Sequence, residues 1–191
     1  MKKMKIETKQ MSSKKLSNVM RMPKIERVVL NIGAVAEKLD KGFILLQKIS
    51  GKKPVRVKAT TRIPTWGVRP GLEVGVKVTL RGEEAEEIIK KILPALNNTI
   101  KERQIRPNFV SFGVHEYIEI PGMEYIREVG IMGFEATIVF VRAGKRVERK
   151  KIKMGKTRRQ DVTVEEIEKI MTEKFKTKIL RKIKNTQESA Q

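Results

Sequence analysis

The fold is decided by one short stretch of the sequence, KIERVVLNIG, at residues 24–33. Apolar, mostly β-branched residues alternate there with other residues, which is typical of a β-strand with one buried face. Leu30 and Ile32 fall on one face, whereas Arg27 and Asn31 fall on the other. We therefore expect a strand that packs one face into a core and leaves the other open.

The segments that follow predict an α+β fold. Apolar residues spaced by three and four at about 37–50 indicate an amphipathic helix, and residues 54–60 and 72–81 again alternate like strands. The remaining patterned segments are a helix at 83–97, extended segments at 109–112 and 117–120, a strand at 134–141 and a helix at about 163–175, which opens on a capping-box pattern. This order predicts an antiparallel-rich sheet with helices packed on one face.

The length of 191 residues favours one well-packed domain. We expect residues 1–22 to form a basic arm or short helix and residues 184–191 to form a frayed tail. Residues 23–183 are predicted to form a single α+β domain. This domain includes a protruding loop at 61–71, which contains two prolines, and a basic run at 142–159.

The charge of the chain indicates a polyanionic partner. It has 43 Lys and Arg against 22 Asp and Glu, a net charge of +21 that opposes compaction through self-repulsion. Nucleic acid is the favoured partner and an anionic membrane the alternative. No apolar run approaches the roughly 20 residues that span a bilayer, and the lysine-rich start lacks the apolar core of a signal peptide. Without cysteine there are no disulfides or cysteine-based zinc sites, so a cytoplasmic protein is expected.

The predicted strands place a set of cations and small polar groups on the face opposite the core, here called the open face. Its predicted members are Arg27, Asn31, Arg56, Lys58, Thr60, Lys77, Thr79 and Arg81. Five of these eight positions are cationic and none is acidic. An ordinary solvated sheet face is the alternative, but it would mix both signs of charge. We therefore expect a surface that binds phosphates and base edges.

The kind of nucleic acid follows from what the open face lacks. It has no aromatic pair of the sort on which RNA-recognition sheets stack single-stranded bases, so structured RNA is the expected target. Trp66 is the one aromatic residue of the 61–71 loop. Two roles for Trp66 stay open: stacking on a base or sugar, and pinning the loop to the body.

The basic run is a second candidate contact. It holds ten Lys or Arg and one Glu, and a solvated loop is the alternative reading. The candidate cations are Arg146, Arg149, Lys150, Lys151, Arg158 and Arg159. If this run and the open face together neutralise ten phosphates of a duplex-like target, log affinity falls with log salt at a slope of about −9.

Signals for an enzyme are weak. His115 is the only histidine, and a lone histidine is more often structural than catalytic. Gly155-Lys156-Thr157 resembles the end of a phosphate-binding loop, but Lys150 stands where that motif requires glycine. We expect no catalytic site, metal, cofactor or small-molecule substrate. Two other hypotheses stay open: a general nucleic-acid architectural protein and an RNA-modifying or RNA-cleaving enzyme.

Several motifs in order resemble the ribosomal protein L-five family, which binds 5S rRNA in the large subunit. They are residues 18–33 (NVMRMPKIERVVLNIG), 51–54 (GKKP), 67–69 (GVR), 74–82 (VGVKVTLRG), 109–122 (FVSFGVHEYIEIPG) and 130–133 (GIMG). The last two are similar to the archaeal branch of the family. The resemblance covers about residues 16–176.

The resemblance implies that a concave sheet face grips a loop of 5S rRNA. The Asn and Thr that the family uses there match Asn31 and Thr79. A Gln that precedes Lys-Pro in many members is Lys52 here, which implies a charge contact with phosphate.

The resemblance also implies wider partners. The loop would reach the elbow of P-site tRNA through Arg62, Trp66 and Arg69. The family attaches 5S rRNA to the large-subunit rRNA in the central protuberance, and it forms a bridge to small-subunit protein S-thirteen. The expected location is the large subunit of the cytoplasmic ribosome.

Overall fold

The computed structural model describes residues 19–157 and 160–181. Its main sheet contains β1 (Lys24–Gly33), β2 (Val55–Lys58), β3 (Glu73–Leu80), β5 (Ile105–Arg106), β6 (Phe109–Val114) and β7 (Phe134–Val141). Two further short strands, β4 (Thr99–Lys101) and β8 (Lys178–Leu180), pair in parallel. The helices are α1 (Glu37–Ser50), α2 (Glu83–Ile92) and α3 (Val164–Phe175). The predicted α+β class with an antiparallel-rich sheet is confirmed.

Residues 24–33 form a central strand of the sheet, β1. The strand order is β2-β3-β1-β7-β6-β5, and each neighbouring pair is antiparallel. Leu30 lies opposite Val78 on one side and Ala136 on the other, and all three side chains are buried. β1 thus joins the two halves of the sheet through one continuous apolar face.

The helices and this apolar face share one core. α1 contributes Leu45 and Leu46 to it, and α3 contributes Ile167 and Met171. α1 approaches β1 closely at Gly42, where a Cβ would lie only 3.1 Å from Cγ2 of Ile32. Helices on one side leave the other side of the sheet without a covering layer of helices among the described residues.

The ends of the helices follow the predicted signals. Gly51 ends α1 with a φ of 66°, a left-handed conformation that glycine adopts without strain. Thr163 and Glu166 form the expected capping box at α3, where the backbone N–H of Thr163 donates to Glu166 Oε2 over 3.2 Å.

Three predicted segments differ in extent or type. The helix predicted at 83–97 is α-helical only over Glu83–Ile92 and continues as a 3₁₀ turn, Leu93–Leu96. β2 ends at Lys58 rather than Thr60, and its register with β3 shifts between Val57 and Lys58. The segment predicted as extended at 117–120 is instead a 3₁₀ turn, Tyr117–Glu119. Its Tyr117 side chain is buried, and the phenol oxygen accepts a hydrogen bond from the Ile126 N–H at 2.8 Å.

The predicted division into arm, domain and tail stays a prediction. Residues 1–18 of the arm and the whole predicted tail lie outside the described residues. The last part of the arm, Val19–Arg21, is a short 3₁₀ helix directly before β1.

Candidate nucleic-acid interface

The strand register defines the open face residue by residue. Residues that lie opposite each other on paired strands point to the same side of the sheet, and side chains alternate along each strand. The open face therefore carries Arg27, Val29, Asn31, Gly75, Lys77, Thr79, Phe109, Ser111, Glu135, Thr137 and Val139. The alternate residues of the same strands form the buried core. Arg27, Asn31, Lys77 and Thr79 thus lie on the predicted face.

The middle of the open face is a row of small hydrogen-bonding side chains. Val29 lies between Thr79 and Thr137, and Ser111 lies beyond Thr137. The hydroxyl groups of Ser111 and Thr137 are 2.9 Å apart and hydrogen-bonded. Thr79 is exposed, and no partner of its hydroxyl is recorded among the described residues. Such a row can donate and accept hydrogen bonds at the surface of a ligand.

Asn31 occupies the next row with a cation on one side and an acid on the other. It lies opposite Lys77 on β3 and Glu135 on β7. Gly75, diagonal to Asn31, has no side chain, and a Cβ there would lie 3.9 Å from Asn31 Oδ1. Gly75 itself is buried, and its lack of a side chain leaves room for the Asn31 amide.

Arg56 does not lie on the open face, so this part of the prediction is wrong. It lies opposite the buried Val76, on the helix side of the sheet. Its guanidinium donates to Glu73 at 2.9 Å and to Asp40 of α1 at 2.7 Å, and it lies 5.6 Å from the ring centre of Phe43. The hydrogen bond to Glu73 is the main reason why the pKa of Arg56 is raised.

The same register reverses the other residues of β2. Val55, which is 59% exposed, lies opposite Lys77, and Val57 lies opposite Gly75. Both valines therefore occupy the open face, on the side of the sheet opposite to Arg56. A shift of one residue moves every side chain of a strand to the other face, and an edge strand such as β2 tolerates exposed apolar residues.

The remaining predicted contacts near β2 and β3 are exposed. Lys58 alternates with Val57 along β2, so it points to the same side as Arg56 and its predicted place on the open face is also wrong. Thr60 lies in the bend beyond β2. Arg81 follows β3 directly. Lys52 forms an exposed ion pair with Glu84 of α2. Since an exposed ion pair contributes about 0–1 kcal/mol, a phosphate can replace this carboxylate at little cost.

The sequence reasoning missed an acidic residue on the open face. Glu135 is exposed and lies opposite Asn31, so the face is not free of acids. The alternation of apolar residues along β7 places Glu135 on the face opposite the core. Only the pairing of β7 with β1 shows that this face is shared with Asn31. The cations Lys77 and Arg81 lie on the β3 side of this carboxylate.

The 61–71 loop is a small hairpin. Ile63 and Val68 form an isolated antiparallel bridge around the 3₁₀ turn Pro64–Trp66, and Gly67 completes the turn with a φ of 64°. Val68 is buried, whereas Trp66 is 76% exposed. Val68 therefore anchors the loop, and burial of Trp66 does not. Arg62 and Arg69 are exposed on either side of the bridge.

Part of the basic run is held against the body by ion pairs. Arg142 is buried and paired with Glu166, and Lys145 pairs with Asp161 and Glu148. The hydrogen bond to Asp161 raises the pKa of Lys145 and lowers that of Asp161. Hydrogen bonding by the Thr157 hydroxyl lowers the pKa of Glu148.

The candidate cations of the run differ in what the structure describes. Arg146, Lys150 and Lys151 are exposed and have no recorded acidic partner among the described residues. The backbone of Arg149 lies in the 3₁₀ turn Lys145–Arg149. Arg158 and Arg159 lie outside the described residues.

The described residues offer little to the enzyme or membrane alternatives. His115 is exposed, and residues 19–157 and 160–181 hold no group of three or more His, Cys, Asp or Glu that could bind a metal ion. In the same ranges, no helix is both long and apolar enough to span a bilayer.

Comparison with known proteins gives the family. The model described as ribosomal protein L5 matches residues 18–69, and the model of the C-terminus of the same ribosomal family matches residues 73–174. The large ribosomal subunit protein uL5 of Nanoarchaeum equitans is 46% identical over 169 residues, which cover 86% of this chain and 100% of that protein. Its namesake from Sulfolobus acidocaldarius is 42% identical over 175 residues, covering 89% and 98%. The chain therefore belongs to the ribosomal protein L5 family, as a structural, non-enzymatic protein of the cytoplasmic ribosome.

Proposed function

We propose that the chain, a structural constituent of the large ribosomal subunit, binds 5S rRNA through the open face. The observation that carries this proposal is the placement of Asn31 and Thr79. Both lie on the open face, on adjacent strands and one row apart, as neighbours of Lys77 and Val29 respectively. An amide and a hydroxyl in this arrangement can hydrogen-bond to base edges, 2′-hydroxyls and phosphates.

The charges of the open face orient the bound RNA. Lys77 and Arg81 provide positive charge on the β3 side, and Arg27 provides it on β1, whereas Glu135 lies on β7. Phosphates are attracted to the first three residues and repelled by the fourth. We therefore expect the sugar-phosphate backbone to follow β3 and β1 and to avoid the neighbourhood of Glu135.

Contacts beyond the open face extend the binding surface. Lys52, Lys58 and Thr60 are exposed next to β2 and add phosphate contacts at that edge. Arg56 lies on the helix side of the sheet, between Asp40 and Glu73, and is therefore not part of this surface. The exposed Arg146, Lys150 and Lys151, with Arg149, Arg158 and Arg159, contact large-subunit rRNA and help to attach 5S rRNA in the central protuberance.

The loop and the intersubunit contact complete the proposal. Arg62, Trp66 and Arg69 are exposed on the 61–71 hairpin, which fits a contact with the elbow of P-site tRNA. The family resemblance also supports a bridge to small-subunit protein S-thirteen.

The test is binding of the chain to homologous 5S rRNA in a salt titration, with excess tRNA and duplex DNA as competitors. Asn31→Ala and Thr79→Ala should weaken the complex, since each removes a hydrogen-bonding group worth about 1 kcal/mol, or roughly fivefold in affinity. Val55→Ala is a control that keeps the polar groups of the open face.

Two outcomes would refute the proposal. One is equal displacement of 5S rRNA by duplex DNA, which would reduce the binding to general polyanion affinity. The other is a large fall in the unfolding temperature of either alanine variant, because side chains on the open face should contribute little to the core.

A further inference from the structure

A cavity of about 570 Å³ lies between the 61–71 loop and the end of β1. Pockets that hold small organic groups usually have volumes of about 300–1,000 Å³. Its apolar wall includes Val35, Ile63, Val68 and Trp66. The cavity is therefore large enough to enclose a planar ring, with an indole available at its edge.

This apolar wall is incompletely covered. Trp66, Val35 and Ile63 all retain substantial exposed area, although the chain as a whole is highly charged. An exposed cluster of apolar side chains on a charged protein marks a surface that another molecule covers. The 61–71 loop thus exposes apolar side chains as well as cations.

The polar residues around the cavity indicate the charge of its occupant. Lys58, Thr60 and Thr61 line it, and among the residues that the structure describes no acidic one does so. A ligand that combines a flat apolar group with a nearby negative charge satisfies both parts of this lining. A nucleotide of an RNA chain has this combination, because its base presents a π face and its phosphate an anion.

The cavity also adjoins the open face. Gly33 lines the cavity and lies opposite Gly75, at the end of the open face next to Asn31. Both residues are glycines, so neither of them adds a side chain between the polar rows and the cavity mouth. An RNA strand can therefore continue from the open face to the cavity.

We infer that this cavity accepts one unpaired nucleobase, stacked against Trp66, with its phosphate near Lys58. The inference rests on the proposed function only in taking RNA as the partner. It adds a base-binding site to a surface otherwise expected to recognise structured RNA. The base can come from 5S rRNA or from tRNA, and the experiment distinguishes the two.

The chain provides its own probe, because Trp66 is its single tryptophan. We would titrate the native protein with a single-stranded hexaribonucleotide and follow tryptophan emission. Stacking of a base on the indole should quench this emission in a saturable manner. The same hexamer in a duplex, and inorganic polyphosphate, should bind by charge but leave the emission largely unchanged.

Variants separate stacking from charge. Trp66→Ala should weaken binding of a dye-labelled hexamer about tenfold, as the loss of one base–aromatic stack predicts, whereas Trp66→Phe should keep most of the affinity. Tyr125→Ala removes another exposed aromatic residue, which does not line the cavity, and should have no effect. Since Trp66 is exposed, circular dichroism should show each Trp66 variant folded.

The two RNA sources and the two proposals have separate readouts. Titration with 5S rRNA and with tRNA shows which of them quenches Trp66. If 5S rRNA binds in an Asn31-dependent manner but no RNA quenches Trp66, the base site is refuted and the proposed function stands. If the hexamer quenches Trp66 but 5S rRNA shows no preference over duplex DNA, the base site stands and the proposed function fails. A blue shift of the emission with an apolar peptide, without any effect of RNA, would assign the cavity to a protein partner and also refute the base site.

Discussion

Within the ion pair between Arg142 and Glu166, replacement of Glu166 should destabilise the fold more than replacement of Arg142. The Arg142 side chain is 9% exposed and that of Glu166 is 24% exposed. If Glu166 loses its charge, the buried guanidinium loses its hydrogen-bonded counter-ion and keeps only the longer-range attraction of Asp161. If Arg142 is replaced, the more exposed carboxylate can still be hydrated. Removal of one partner of a buried pair is costly mainly because of the charge that remains.

The test compares Glu166→Gln with Arg142→Met. Glutamine keeps the capping-box contact with Thr163, so this change isolates the charge. A hydrogen bond to a charged group contributes about 1.5–3 kcal/mol, and 1 kcal/mol changes Tm by about 2–4 °C in a chain of this size. Glu166→Gln should therefore lower Tm by about 3–12 °C. Arg142→Met should lower it less, because methionine fills similar space and removes the Arg142 Nε, which is buried without a recorded partner.

The assay is thermal unfolding at neutral pH in the absence of RNA, followed by circular dichroism. The double variant should resemble Arg142→Met alone, since the introduced glutamine would no longer face a buried charge. If Arg142→Met lowers Tm as much as Glu166→Gln does, the reasoning from burial is wrong.

Three further predictions concern the open face and the basic run. Glu135→Gln should tighten 5S rRNA binding about two- to fivefold at low salt, because it removes a repulsive charge. Glu119→Gln, outside the open face, should leave the affinity unchanged. Weaker binding by Glu135→Gln would mean that Glu135 contacts the RNA directly. Gly75→Ala should reduce 5S affinity by crowding the Asn31 side chain, and a filter-binding assay that finds no loss would contradict this. Because the added Cβ would also lie 3.2 Å from the Ile32 carbonyl oxygen, circular dichroism should first show that the variant is folded. The pKa of Asp161 is lowered in the folded state, so its charge stabilises the fold above its unfolded pKa, and this stabilisation disappears as the pH falls through its folded pKa. Asp161→Asn should therefore reduce the fall of the urea midpoint between about pH 5 and pH 2. An unchanged fall would contradict this.

Sequence alternation predicts side-chain direction well only for central strands. In β1 and β3 it was correct for Asn31 and Thr79, because both strands have neighbours on each side and must bury one face completely. In β2 it was wrong for Arg56, because an edge strand can expose valines and direct an arginine towards α1. The pattern of apolar residues alone does not contain the information that Asp40 and Glu73 would receive this guanidinium.

Long-range pairing explains the other differences. Glu135 reaches Asn31 only because β7 pairs with β1, although about a hundred residues separate them along the chain. Similarly, the composition of the basic run contains no sign that Glu166 and Asp161 lie against Arg142 and Lys145. Local sequence gives the elements and their apolar faces, whereas these contacts depend on strand order and on where α3 packs.

The central position of β1 also affects how the chain folds during synthesis. Its partner β3 follows soon after it, but β7 leaves the ribosome only about a hundred residues later, or roughly 5–20 s at usual rates of synthesis. During this interval one edge of β1 has no native neighbour, and unpaired edges invite association with other chains. The half of the sheet that carries Asn31 and Thr79 can form early, whereas the row with Thr137 and Ser111 cannot. A newly made chain can therefore hold part of its RNA-binding surface before its sheet is complete, so an early RNA contact would have to use β1 and β3 alone.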